Sequence, residues 1–117
     1  MENRVERFEI AATDLKGLKV FYEELFGWAA SSDNPSRYSL VEPRDGIKGL
    51  IFKADPGVPT FVTIYVEVED VEQQLKRAEQ LGGTIYVPAT QSPVPGERCF
   101  GVFGDPEGNI IGVCQRD

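Results

Sequence analysis

One block of the chain occurs twice. Residues 7–28, RFEIAATDLKGLKVFYEELFGW, align with residues 63–84, TIYVEVEDVEQQLKRAEQLGGT, at a constant offset of 56, so that Asp14 falls on Asp70, Leu25 on Leu81 and Gly27 on Gly83. Self-similarity at a fixed period means one supersecondary unit built twice, and the whole fold must accommodate that duplication. Each copy opens on a β-prone run, residues 8–11 and 61–68, the second alternating apolar and polar as a half-buried strand does. Asp14 and Asp70 then stand where a helix begins, because a short carboxylate accepts from unpaired backbone N–H groups and complements the helix dipole.

The periodicity predicts a helix after each aspartate. Leu15, Leu18, Phe21, Tyr22, Leu25 and Phe26 recur at helical spacing in the first copy, and Val71, Leu75, Ala78 and Leu81 in the second; both stripes are read as core. Gly27 and the pair Gly82 and Gly83 end the helices. Further strands are predicted over 28–30, 37–41 and 49–53 in the first copy and over 84–87, 99–103 and 109–115 in the second. The chain therefore reads as α+β, two tandem β-α-β-β-β units. We expect a single domain, 1–117, made of a module over about 4–55 and another over about 60–117. The stretch 53–59, KADPGVP, is the linker, and the Pro-rich segment 88–97 reads as a long loop bordering any site.

Composition closes off several functions. A net charge of −7 with no basic run gives no electrostatic footprint for nucleic acid or an anionic bilayer. No apolar run approaches the roughly 20 residues of a membrane helix, and the N-terminus lacks a hydrophobic signal core, so a cytoplasmic location is expected. The two cysteines match no zinc spacing. If Asp105 pairs with Gly108 across the turn DPEG, antiparallel register sets Cys99 against Cys114; a disulfide or redox pair is one reading, two small buried hydrophobes in a reducing compartment the other. The acidic run Glu67, Glu69, Asp70 and Glu72 lacks the loop that wraps calcium and reads as a solvated face.

The tandem units, the Asp-initiated helix ending in FYEELFGW, the second helix ending in Gly-Gly and the final DPEGN hairpin together resemble the vicinal oxygen chelate superfamily, which includes glyoxalase I, bleomycin-resistance proteins and extradiol dioxygenases. The resemblance covers nearly the whole chain. It implies an open barrel-like curled sheet around a cleft, in which enzymes of the superfamily hold a divalent metal by one side chain from the first and one from the last strand of each module. The implied first-strand positions are Arg7 and Thr63. The implied last-strand positions are Gly112, three residues after DPEGN, and Gly49 or Leu50. Arginine keeps its proton and has no lone pair to give, a lone threonine hydroxyl is a poor donor to Zn, Ni or Fe, and glycine has no side chain. The chain also contains no histidine. No metal ligands and no cofactor are predicted, with a divalent metal kept as the alternative.

Alternation along the strands nominates what else lines a ligand-binding face: Glu9 beside Arg7, Tyr65 beside Thr63, Cys114 beside Gly112. Glu9 is the one candidate catalytic carboxylate, the competing account being a plain charge pair with Arg7. Arg98 and Phe100, ending the Pro-rich segment, could clamp an anionic or aromatic ligand, and Tyr38 could pack on one. The expectation is a glyoxalase/bleomycin-resistance-like protein that binds a small organic molecule without a catalytic metal. The alternative is a lyase, isomerase or dioxygenase of the lactoylglutathione lyase kind. Because a chain of 117 residues gains buried area by pairing, a homodimer is expected.

Overall fold

The computed structural model describes residues 2–32 and 34–116. Its elements run β1 Val5–Ala12, α1 Leu15–Phe26, β2 Ala30–Ser31, β3 Tyr38–Val41, β4 Lys48–Lys53, β5 Val62–Val68, α2 Val71–Gln80, β6 Thr84–Gln91, β7 Cys99–Gly104 and β8 Ile110–Gln115. The two β-α-β-β-β modules read from the repeat are present. Contacts divide the chain into two compact units, residues 6–63 and residues from 64 onward together with the N-terminal residues through Val5.

Inside the first unit, β1 pairs parallel with β4, which pairs antiparallel with β3, which pairs with β2. The second unit repeats the pattern: β5 pairs parallel with β8, then β7 and β6 follow antiparallel. Parallel pairing needs a crossover, and each helix supplies it. Both helices start as expected. The Asp14 carboxylate accepts from Gly17 N at 3.1 Å, and the Asp70 carboxylate from Gln73 N at 3.1 Å. Gly27 closes α1 in the left-handed region with φ of 70°, its N–H donating to Glu23 O at 2.9 Å.

Each helix packs on one face of its strands. Leu15 joins Ile10, Ala12, Ala30, Val41 and Ile51, with Phe8, Leu18, Tyr22 and Trp28 packed against them. In the second unit Val71 and Leu75 of α2 join Val68 and Val113, with Val66, Ile85, Cys99 and Phe103 against them. The α1 stripe is only partly core, however: Phe21, Leu25 and Phe26 are 54%, 58% and 57% exposed. At 100° per residue, Phe21 and Leu25 stand on the flank of the line Leu15, Leu18 and Tyr22 that meets the strands, so helical spacing alone overstated the buried width. Leu81, read as core, is also exposed, because α2 ends at Gln80 and leaves it outside the last turn.

Other boundaries moved for local reasons. β6 continues to Gln91 through Pro88, shortening the expected loop. Proline is tolerated there because β6 has a strand partner on one side only within its unit and its pairing slips in register at two places near Pro88. Trp28 lies outside β2 and packs on the core. Glu67 is not solvated: its side chain is 14% exposed and pairs with Arg4 at 3.3 Å and Arg116 at 3.6 Å, tying both chain ends to β5.

The final hairpin corrects the cysteine pairing. Gly108 N donates to Asp105 O at 2.8 Å as in an ordinary four-residue turn, yet Asp105 N donates to Asn109 O at 2.9 Å, and Gly104 pairs with Ile110. Gly108, with φ of 91°, is the extra left-handed residue that turns a plain turn into a turn plus bulge. Register shifts by one residue, so Cys114 pairs with Phe100. Cys99 then packs on the helix side while Cys114 points to the opposite face, and the two form no disulfide.

The Asp105 carboxylate ties this turn together, accepting from Asn109 Nδ2 at 2.8 Å and from the N–H groups of Asn109 and Glu107 at 2.9 Å each. The Asn109 side chain, followed by its backbone N–H, holds the Asp105 carboxyl below the usual carboxylate range. A depressed folded pKa stabilises the protein above the unfolded value, and that contribution is lost as pH falls through the folded one. Asp105→Ala is therefore expected to lower the melting temperature at pH 7, with the gap to wild type closing as pH drops below about 4. Thermal unfolding across that range checks it.

Candidate functional site

Strand alternation assigns each nominated side chain to a face. Since Phe8, Ile10 and Ala12 meet α1, the residues Arg7, Glu9 and Ala11 occupy the helix-free face of the first unit. Register adds Leu50 and Leu40 in the row of Glu9, and Phe52 and Tyr38 in the row of Ala11. Arg7, Glu9, Tyr38 and Leu50 are all buried. Arg7 and Glu9 share this face, as strand alternation expects, and the register adds Tyr38 to it.

Arg7 and Glu9 form a charge pair. Arg7 Nε donates to Glu9 Oε2 at 2.8 Å, and Arg7 Nη1 donates to Glu6 Oε1 at 2.9 Å. Glu6 Oε2 lies 3.3 Å from Lys48 Nζ, whose residue is the register partner of Arg7. Two cations and two carboxylates thus alternate across β1 and β4. Only Lys48 is substantially in water, at 45% side-chain exposure. Sequence reasoning missed Glu6 and Lys48, because Glu6 is adjacent to Arg7 on a strand and so reads as facing the other way; the signal for Lys48 was the parallel register, which the sequence does not print.

On the second unit's helix-free face stand Tyr65, Glu67, Gly112, Cys114, Phe100 and Val102, since Val66, Val68, Val113 and Phe103 meet α2. Thr63, buried, lies on the same face of β5 as Tyr65 by alternation. Tyr65 and Phe100 approach with ring centroids 6.3 Å apart. Cys114 Sγ lies 3.8 Å from Val66 O. Arg98 is exposed in the segment before β7 and is the one nominated residue outside these two sets.

The glycine at 112 is not an empty position. Tyr65 and Gly112 are register partners, and a Cβ built on Gly112 would lie 2.5 Å from Tyr65 Cε2 and Cζ. The phenol end of the ring fills the volume that a side chain at 112 would need. The repeat also settles the register left open in the first module: Glu9, the counterpart of Tyr65, pairs with Leu50, so Leu50 rather than Gly49 corresponds to Gly112. Gly49 instead sits under the Phe8 ring, 2.1 Å from where its Cβ would be, on the helix side.

A twisted β-α-β-β-β pair with these strand orders is the fold of the vicinal oxygen chelate superfamily. The chain matches the family described as Glyoxalase-like domain over residues 7–114 and belongs to it. Among curated proteins it is 28% identical over 118 residues to "Putative glyoxylase CFP32" of Mycobacterium bovis, a match covering 93% of this chain and 44% of that protein. The chain thus spans under half the length of that relative. The fold is shared with a glyoxalase/bleomycin resistance protein/dioxygenase superfamily member from Vibrio splendidus, at TM-score 0.66 and 18% identity over 98% of this chain and all of that one. It is shared also with the Mn(II)-bound glyoxalase from Novosphingobium aromaticivorans, at TM-score 0.69 and 15% identity over 97% of this chain and 40% of that one.

Against the metal that this superfamily implies, the four corresponding residues can be tested as donors. They are Arg7, held as a cation by two carboxylates, Leu50, Thr63, and Gly112 under the Tyr65 ring. Only the threonine hydroxyl offers a lone pair, and it suits no transition metal well. Among the described residues no three His, Cys, Asp or Glu side chains cluster as a cation site. These residues do not fit the group, and no step is derived through it.

Two stability experiments follow. Arg7→Met removes the buried cation between Glu6 and Glu9 and is expected to cost about 3–5 kcal/mol, while Arg7→Met with Glu9→Leu recovers part of the loss; urea unfolding of the three proteins measures the coupling. Gly112→Ala forces the Tyr65 ring aside and is expected to cost about 1–3 kcal/mol, with less than additive loss when Tyr65→Val is present, by the same measurement.

Proposed function

We propose that this glyoxalase-like protein binds a small organic molecule on its helix-free strand faces without a catalytic metal, and that it does so in the cytoplasm as a homodimer. The observation that carries the reading is the Arg7 guanidinium, buried and held by Glu9 and Glu6 where relatives of the superfamily place a metal ligand. What remains for recognition is shape and hydrogen bonding: the first unit offers apolar and aromatic walls from Tyr38, Leu50 and Phe52, and the second unit, by itself, Tyr65 and Phe100 with Cys114 beside them. Such a composition, mostly apolar with a few placed polar groups, is that of small-molecule sites in general. Among the described residues no helix is long and apolar enough to cross a membrane.

An enzyme of the lyase or isomerase kind would need a base on these faces. Glu9 is the candidate, but one of its oxygens already accepts from Arg7. The test pairs metal analysis of the purified chain with a methylglyoxal–glutathione assay and a thermal-shift screen of small organic acids and aromatics. Substoichiometric metal, no turnover and a melting temperature raised by at least one compound are expected; a ligand at a hundred times its Kd adds about 2.7 kcal/mol by mass action. Stoichiometric Ni, Zn or Fe that disappears in Glu9→Ala overturns the reading.

A further inference from the structure

The geometry points to the C-terminal half of α1 as the surface through which two copies of this chain associate. This inference rests on the homodimer reading and adds where the contact lies. Five of the chain's aromatic residues form one connected cluster there. Phe21 meets Tyr22 edge-on at 5.1 Å, Tyr22 stacks with Phe26 at 5.9 Å and Trp28 at 5.4 Å, and Trp28 contacts Phe8 at 5.3 Å. One end of the cluster, Phe8, Tyr22 and Trp28, packs on the buried core. The other end, Phe21 and Phe26 together with Leu25, is more than half exposed. The rings are therefore held by the core and presented outward, which spares an interface the entropy of ordering them.

The area decides the occupant. Phe21, Phe26 and Leu25 leave roughly 300 Å² of apolar surface uncovered, taking about 200 Å² for a fully buried large side chain. Packed on its own copy about a two-fold axis, that patch and the edges of Tyr22 and Trp28 bury roughly 700 Å². An interface of that size, below about 1,200 Å², is that of a weak, transient association of two copies. Phe21, Leu25 and Phe26 carry no charge themselves, and of the two carboxylates beside them Glu23 is paired with Lys19 while Glu24 is exposed at the edge. A chain with net charge −7 meets its acidic copy best through such a face.

Trp28 is the chain's single tryptophan, half-buried between the core and this patch, so its emission responds when the patch is covered. Sedimentation velocity of the wild type between about 1 and 200 μM, a range bracketing micromolar affinity, is expected to show a monomer–dimer equilibrium. Trp28 emission is expected to shift to the red on dilution over the same range. Phe21→Ser with Leu25→Ser is expected to raise the dimer Kd at least tenfold while the far-ultraviolet circular dichroism stays that of the wild type. A dimer whose Trp28 emission ignores dilution, or which survives the double substitution, overturns the surface and leaves the homodimer reading standing. A wild type monomeric throughout overturns both. The dilution experiment needs no variant, so a double variant that fails to fold leaves the inference decidable.

Discussion

In each module the first strand lies parallel to the last, β1 on β4 and β5 on β8, and everything functional follows from that pairing. Parallel neighbours point corresponding side chains the same way, so a single alternation carries through both strands. Phe8, Ile10 and Ala12 of β1 and Val66 and Val68 of β5 meet their helices. The alternate residues Arg7, Glu9, Tyr65 and Glu67 are left on the helix-free face. Chemistry on this fold is thus confined to every second residue of a few short strands.

Much of this was legible before any coordinates. The offset of 56 gave both modules, and the capping chemistry of Asp14 and Asp70 gave both helix starts, because those signals are local. Alternation also placed Arg7 with Glu9 and Gly112 with Cys114. What escaped was anything set by one residue of register or by the width of a contact. The bulge at Gly108 separated the two cysteines onto opposite faces, although the turn residues themselves were read correctly. The α1 stripe was read as wholly buried, since periodicity states direction but not how far the strands beneath extend. Lys48 was invisible because its partner Glu6 lies 42 positions away in the chain, and Glu6 because a strand neighbour of Arg7 reads as facing the other way.

The two helix-free faces have diverged within one chain. The first carries Arg7 and Glu9 as a buried charge pair, linked through Glu6 to the exposed Lys48. On the second, Thr63 and Tyr65 stand at the positions of Arg7 and Glu9, and Gly112 at that of Leu50, with Phe100 and Cys114 alongside. Burying ion pairs costs desolvation that the pairing only partly offsets, so such arrays specify a geometry more than they stabilise it. Rings and small residues do the reverse, filling space at little electrostatic cost. Duplication gave one backbone plan, and the side chains on it now differ in polarity.

The ring of Tyr65 over Gly112 also bears on how such a chain changes over generations. A mutation at 112 toward any larger residue meets the ring first, and loss of the ring alone opens a void beside a bare backbone. Each single step is penalised, and the two together cost less than their sum. The pair is therefore coupled: a change at either position is best tolerated with one at the other, which leaves single substitutions to other positions of the face.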